Sequence, residues 1–150
     1  MSTRSIIAKQ DGDIWKGRYA HWDGYPTHQG KSIWAIVQRD GYEKAVKTFV
    51  DDNFYWSVVK PLQANSGESE DSRWEIIEGY GKAGREEEAD PNEWHTPADL
   101  DDTWCEWVYI IAKGGLLVIY IETKELIGFY PWHETEPNWE RIQEQAYANA

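Results

Sequence analysis

Three apolar runs close to the C-terminus constrain this chain most: "WVYIIA" (107–112), "LLVIYIE" (116–122) and "ELIGFYPW" (125–132). They are rich in β-branched and aromatic residues, the types that fit a pleated, half-buried surface. Only "KGG" and "TK" separate them. Connections that short join antiparallel neighbours, because a parallel crossover needs a dozen residues or more. A three-stranded antiparallel meander is therefore expected. A similar signal opens the chain: "RSIIAKQ" (4–10), the turn "DGD", then "IWKGRYAHW" (14–22), read as a β-hairpin with an Asp-Gly turn. Alternation puts Trp15, Gly17, Tyr19 and His21 on one face of its second strand, the expected core face, and Lys16, Arg18, Ala20 and Trp22 on the other.

Helical spacing appears in "GKSIWAIVQRD" (30–40), through Ile33, Trp34, Ile36 and Val37, and in "DGYEKAVKTFVDD" (40–52), where Asp40 and Glu43 have capping-box spacing. "FYWSVV" (54–59) reads as a short strand, and 135–148 as a closing helix with Thr135 as N-cap and a stripe of Trp139, Ile142 and Tyr147. The sum is an α+β fold: one antiparallel sheet, made of the N-terminal hairpin and the C-terminal meander, with helices packed on a face.

At 150 residues the chain is read as a single domain, 1–150, and ten Trp and nine Tyr supply a core without staples. Cys105 has no partner for an intramolecular disulfide and no basic neighbour to activate it. No apolar run reaches bilayer length and the N-terminus lacks a signal-peptide core, so the expected setting is cytoplasmic, with no membrane.

The net charge of −12 is uneven. Residues 1–67 hold nine Lys/Arg against seven Asp/Glu, residues 68–106 three against fourteen, and residues 107–150 three against six. That balance excludes direct affinity for nucleic-acid phosphate and points to a basic partner surface. Residues 63–102 lack a sustained period and read as an acidic, loop-rich region pinned by Trp74 and Trp94, with a possible short element at 73–80. Between Glu86 and Asp102, eight carboxylates, among them Glu86, Glu87, Glu88, Asp90, Asp101 and Asp102, accompany Trp94. Such a mixture suits a groove that ordinarily takes phosphates and stacked bases.

"GRYAHWDGYP" (17–26) is the densest stretch of chemistry. His21, Asp23 and His28 form a thin metal set without an evident fourth ligand; His95 or His133 would have to supply it. As acid/base machinery, Asp23 would orient His21, and Ser5, or Ser2 were Met1 removed, would be the nucleophile. The architectural reading has Asp23-Gly24 as a turn with Gly24 at positive φ, Pro26 fixing the exit, and Arg4 pairing with Asp23. The recognition reading makes Trp22 and Tyr25 anchors, flanked by Asp23 and His28.

"MSTRSIIA" followed by "WKGRYAHWDGYPTHQGKSIW" resembles a family of small uncharacterised proteins of tailed phages and prophages, whose members share a Thr/Asn-Arg-Ser-x-Ile strand, a Tyr-x-His-Trp-Asp-Gly-Tyr turn and a Gly-Lys helix. The likeness covers about the first 37 residues and, more loosely, "EWVYIIAKGGLLVIY". It implies an accessory protein acting in a bacterial host cytoplasm and carries no activity, cofactor or oligomeric state. The expected function is binding a host or viral macromolecule, foremost a host protein with a basic surface, through the 21–28 turn and the acidic 86–102 loop. A small hydrolase or metal-dependent enzyme centred on His21 and Asp23 is the alternative.

Overall fold

The computed structural model describes residues 3–64, 73–84, 90–100 and 104–149. Strands β1 (Ser5–Asp11) and β2 (Ile14–Ala20) form the hairpin, with Asp11 opposite Ile14 and Gly12 at φ +63 in the turn. After β2 come a π-helical turn (Pro26–Gly30), helix α1 (Lys31–Asp40), helix α2 (Tyr42–Val46) and a second π-helical turn (Lys47–Asp51). Strands β3 (Tyr55–Val59), β4 (Trp74–Ile77), β5 (Gly81–Gly84), β6 (Trp107–Ile111), β7 (Gly115–Tyr120) and β8 (Glu125–Pro131) follow, and helix α3 (Trp139–Ala148) closes the chain.

All eight strands form one sheet in the order β4-β5-β3-β2-β1-β6-β7-β8. The fold is α+β, but the sheet is mixed rather than antiparallel. The hairpin and the β6–β7–β8 meander are joined by a parallel β1–β6 pair, and β2 runs parallel to β3. Antiparallel β3–β5 and β4–β5 pairs extend that side. The parallel joints were invisible to local turn chemistry because each rests on a long connection: 21–54 through both helices for β2–β3, and nearly 100 residues for β1–β6. Strand β5 was also missed. "GKAG" has no bulky side chain to show a period, and Gly81 is required there, since a Cβ would lie 2.1 Å from the Val58 carbonyl oxygen.

Both faces of the central strands are covered. On one, Ile7, Ala20, Trp56, Trp107 and Tyr109 pack with Ile33, Trp34, Ile36, Phe49, Trp139 and Ile142 from the helices. On the other, Ile6, Ala8, Trp15, Val108 and Ile110 form a smaller cluster with Cys105 and Ile121. The face assignment of β2 therefore holds for Trp15, buried in the smaller cluster, and fails further along the strand. The main core takes Ala20 and the fully buried Arg18, while Tyr19 lies on the helix-free side. Near-continuous burial of β1 and β6 makes alternation uninformative there.

Caps differ from expectation too. Asp40 caps nothing: the α1–α2 break is Gly41 at φ +87, and Asp40 instead accepts from Arg39 Nε (2.9 Å) and the Tyr80 hydroxyl (2.7 Å). These partners, the Arg39 hydrogen bond foremost, hold its carboxyl down at about 2. The N-cap of α3 is Asn138, accepting from Arg141 N, rather than Thr135. The expected stripe packs on the sheet: Trp139 and Ile142 are buried with Ala146, and the partly exposed Tyr147 meets Trp107 (6.1 Å) and Tyr120 (5.7 Å) edge-on. Among the described residues no helix is long and apolar enough to cross a membrane.

Candidate aromatic recognition cleft

The sheet face without helices carries an open cleft of about 320 Å³ lined by Arg4, Tyr19, Tyr55, Glu93, His95 and Trp104. Its floor follows from strand alternation. Tyr19 precedes the core residue Ala20 on β2, and Tyr55 precedes Trp56 on β3, so both rings are turned away from the main core. They meet at 5.3 Å between centroids. Trp74 on β4 stacks on Tyr55 at 5.4 Å and 18°, extending the wall into a second hollow of about 220 Å³ bounded by Arg73 and Gly84.

The other wall is brought in by residues 90–100 and by Trp104. His95 exchanges two backbone hydrogen bonds with Gly17, His95 N to Gly17 O (3.0 Å) and Gly17 N to His95 O (2.9 Å), which seats this segment on the part of β2 that β3 leaves free. Gly17 is small because of its β1 neighbour rather than this bridge: a Cβ would lie 2.5 Å from Ile7 O. The His95 ring then packs against Trp104 (4.9 Å) and Tyr19 (6.4 Å). Glu93 Oε1 stands 3.9 Å from His95 Nε2, its side chain largely in solvent.

Arg18 locks the same segment from the core side. Its Nε donates to Val50 O (2.8 Å), and its Nη1 to Pro91 O (3.1 Å) and Glu93 O (2.9 Å). The guanidinium lies 3.4 Å from the Trp94 ring centroid and 4.9 Å from that of Phe54. Burial lowers its pKa, opposed by Asp51, Asp90 and Glu93. Neighbouring Trp94 and His95 thus serve opposite faces: Trp94 holds Arg18, Lys16 (4.4 Å) and Lys9 (5.7 Å), while His95 faces the cleft.

A polar string runs from Arg4 to Tyr19 and His21, the last two within "GRYAHWDGYP". Arg4 hydrogen-bonds the Tyr19 hydroxyl, which also lies 2.9 Å from His21 Nδ1. An arginine only donates, so the Tyr19 oxygen accepts from Arg4, and the Tyr19–His21 bond runs in the direction set by the His21 tautomer. Burial foremost, with Tyr55 nearby, pushes the Tyr19 hydroxyl up to about 12 against the pull of Arg4. Trp22, 46% exposed, meets the His21 ring edge-on at 4.7 Å.

The rest of "HWDGYP" is architecture. His21 N and Trp22 N donate to Trp56 O and Ser57 O, prolonging the β2–β3 edge. Asp23, not Gly24, takes the positive φ (+57), and the Tyr25 hydroxyl donates to its Oδ1 at 3.3 Å. Gly24 is small for a different reason: a Cβ would lie 2.7 Å from Ser5 Cβ and 2.8 Å from Thr3 O. Its carbonyl accepts from the buried Tyr109 hydroxyl at 2.6 Å. Among the described residues no ion pair joins Arg4 to Asp23, and no hydrogen bond joins His21 to Asp23.

Among the described residues His28 keeps an edge-on contact with Tyr25 (6.3 Å) but none with His21 or Asp23. Its Nε2 donates to Val59 O (2.8 Å), and it lines a separate hollow with Lys31, Lys60 and Leu62. Ser5 Oγ accepts from buried Gln29. Asp90 is exposed and caps a local turn through Asn92 N. Glu86, Glu87, Glu88, Asp101, Asp102 and Ser2 lie outside the described residues. Among those described, no three His, Cys, Asp or Glu residues are grouped to hold a metal ion. Cys105 is buried, its thiol pushed up to about 12 by that burial.

The sequence reading named His21, Trp22 and the acidic segment but missed Arg4, Tyr19, Tyr55, Trp74, His95 and Trp104 as one surface. The available signal is the shared alternation of Tyr19 and Tyr55, but sequence pattern puts Tyr19 on the core face of β2 and assigns Tyr55 no face. No family model, curated protein or solved structure matches this chain.

Proposed function

We propose that this chain is a binding protein that docks a basic protein surface on the aromatic cleft of its helix-free sheet face. The observation that carries this reading is the continuous wall of Trp104, His95, Tyr19, Tyr55 and Trp74, half-buried and open on one side. Large, rigid aromatic rings supply contact area at low entropic cost and are common interface anchors. Charge supplies the direction. Residues 68–106 hold fourteen carboxylates against three basic groups, and this same stretch contributes Trp74, Glu93, His95 and Trp104 to the wall.

With the resemblance to phage proteins, the partner we favour is a host protein in a bacterial cytoplasm. The test is a pull-down from bacterial lysate at moderate and high salt, with a Tyr55→Ala/Trp104→Ala variant in parallel. Support is one dominant, salt-sensitive protein with a basic surface, retained by the parent chain and lost by the variant. Equal capture by both chains, or capture of nucleic acid instead, overturns the reading.

A further inference from the structure

We infer that the Glu93 end of the cleft is a socket for an arginine side chain of the partner. This rests on the reading of the cleft as the docking surface. A guanidinium is flat, weakly hydrated and attracted to the faces of electron-rich rings, and its fork of N–H groups matches a carboxylate. The cleft offers both parts: the Tyr19, Tyr55 and Trp104 rings, and the Glu93 carboxylate at the rim beside His95.

The chain already uses this mode internally. Arg18 stands 3.4 Å from the Trp94 ring centroid while its N–H groups reach Val50, Pro91 and Glu93 carbonyls, and Arg39 stands 5.5 Å from the Tyr80 ring centroid while paired with Asp40. Both combine a ring with hydrogen-bond acceptors, the combination found again around Glu93. The ring spacing argues against an intercalated base. Tyr19 and Trp104 centroids are 6.2 Å apart, whereas a flat guest between two rings needs about 7 Å, twice the van der Waals thickness of a ring. The rings form a wall on which a cation lies, and Arg4, which also lines the cleft, is engaged by the Tyr19 hydroxyl.

Two twelve-residue peptides of equal charge, one with arginines and one with lysines in a Gly/Ser background, would be titrated into the full chain by calorimetry, with adenosine monophosphate as a third probe. The socket requires the arginine peptide to bind about 5-fold or more tighter than the lysine peptide. Trp104→Leu should erase that preference, Trp104→Phe should keep part of it, and the surface change Glu93→Gln should weaken arginine binding about 3-fold. Equal binding of both peptides, unaffected at Trp104 and Glu93, overturns the socket and leaves basic docking standing. No binding of either peptide overturns both. Tight binding of the nucleotide alone, lost in Arg4→Ala, makes the cleft an anion site and also overturns both.

Discussion

Replacing Arg18 by Met tests how the cleft is built. The side chain is 1% exposed, so the substitution acts in the interior. Its guanidinium donates to three carbonyls, of Val50, Pro91 and Glu93, two of them in the segment that carries His95. A charged donor is worth about 1.5–3 kcal/mol per bond, and a buried carbonyl left without its donor costs about 1–3 kcal/mol. Relief of the buried charge offsets part of this, and Met refills much of the volume against Trp94 and Phe54. The net loss expected is about 3–5 kcal/mol, the cost of three carbonyls left without their donor less the relief of the buried charge. In urea, with a slope of about 2 kcal/mol/M, that moves the midpoint down by about 2 M at an unchanged slope. Limited proteolysis should open the chain first within residues 90–96. Arg18→Lys, which keeps charge but loses the planar fork, should fall between. A loss for Arg18→Met below about 0.5 kcal/mol, with no new cleavage, would refute the claim that this one side chain ties the cleft wall to the core.

Other outcomes follow from the same contacts. Cys105 should resist a thiol-specific disulfide reagent at pH 8 in the native chain and react once per chain in urea; because its folded pKa of about 12 exceeds the unfolded value of about 9, it should also erode stability as pH rises from 9 toward 12. Asp40, held at about 2 against 3.8, contributes stability that is complete above pH 4 and lost as pH falls toward 2; Asp40→Asn should cost at most about 2 kcal/mol at pH 7 and flatten acid unfolding in that window. Gly24→Ala should cost about 1–3 kcal/mol in thermal unfolding, since its Cβ would press on Ser5 and the Thr3 carbonyl; a neutral result would show that the 21–26 link yields freely.

Much of the secondary structure was legible because it is local. The β6–β8 runs are joined by turns too short for anything but antiparallel pairing, and Ile33, Trp34, Ile36 and Val37 repeat at the period of α1. What local pattern could not give was the parallel β1–β6 joint, which closes over nearly a hundred residues, or β5, whose side chains are too small to show a period. The face of β2 was misread for a related reason. Arg18 looks like a solvent residue, and its burial depends on Trp94, Val50 and Pro91, all distant in sequence. That error hid the candidate site, since turning Tyr19 outward is what brings it to Tyr55 and His95. Asp23 and Gly24 were rightly singled out as constrained, but their roles were exchanged: Asp23 takes the positive φ, and Gly24 makes room for Ser5.

The central claim is that the aromatic cleft is the working surface, and the indole N–H signals of the ten tryptophans test it directly by NMR. Titration with the arginine peptide should shift the Trp104 signal, with a smaller shift at Trp74, and leave the core residues Trp56 and Trp107 unmoved. Shifts confined to Trp34, Trp132 and Trp139 on the helix side, or none at any indole at saturating peptide, would contradict it.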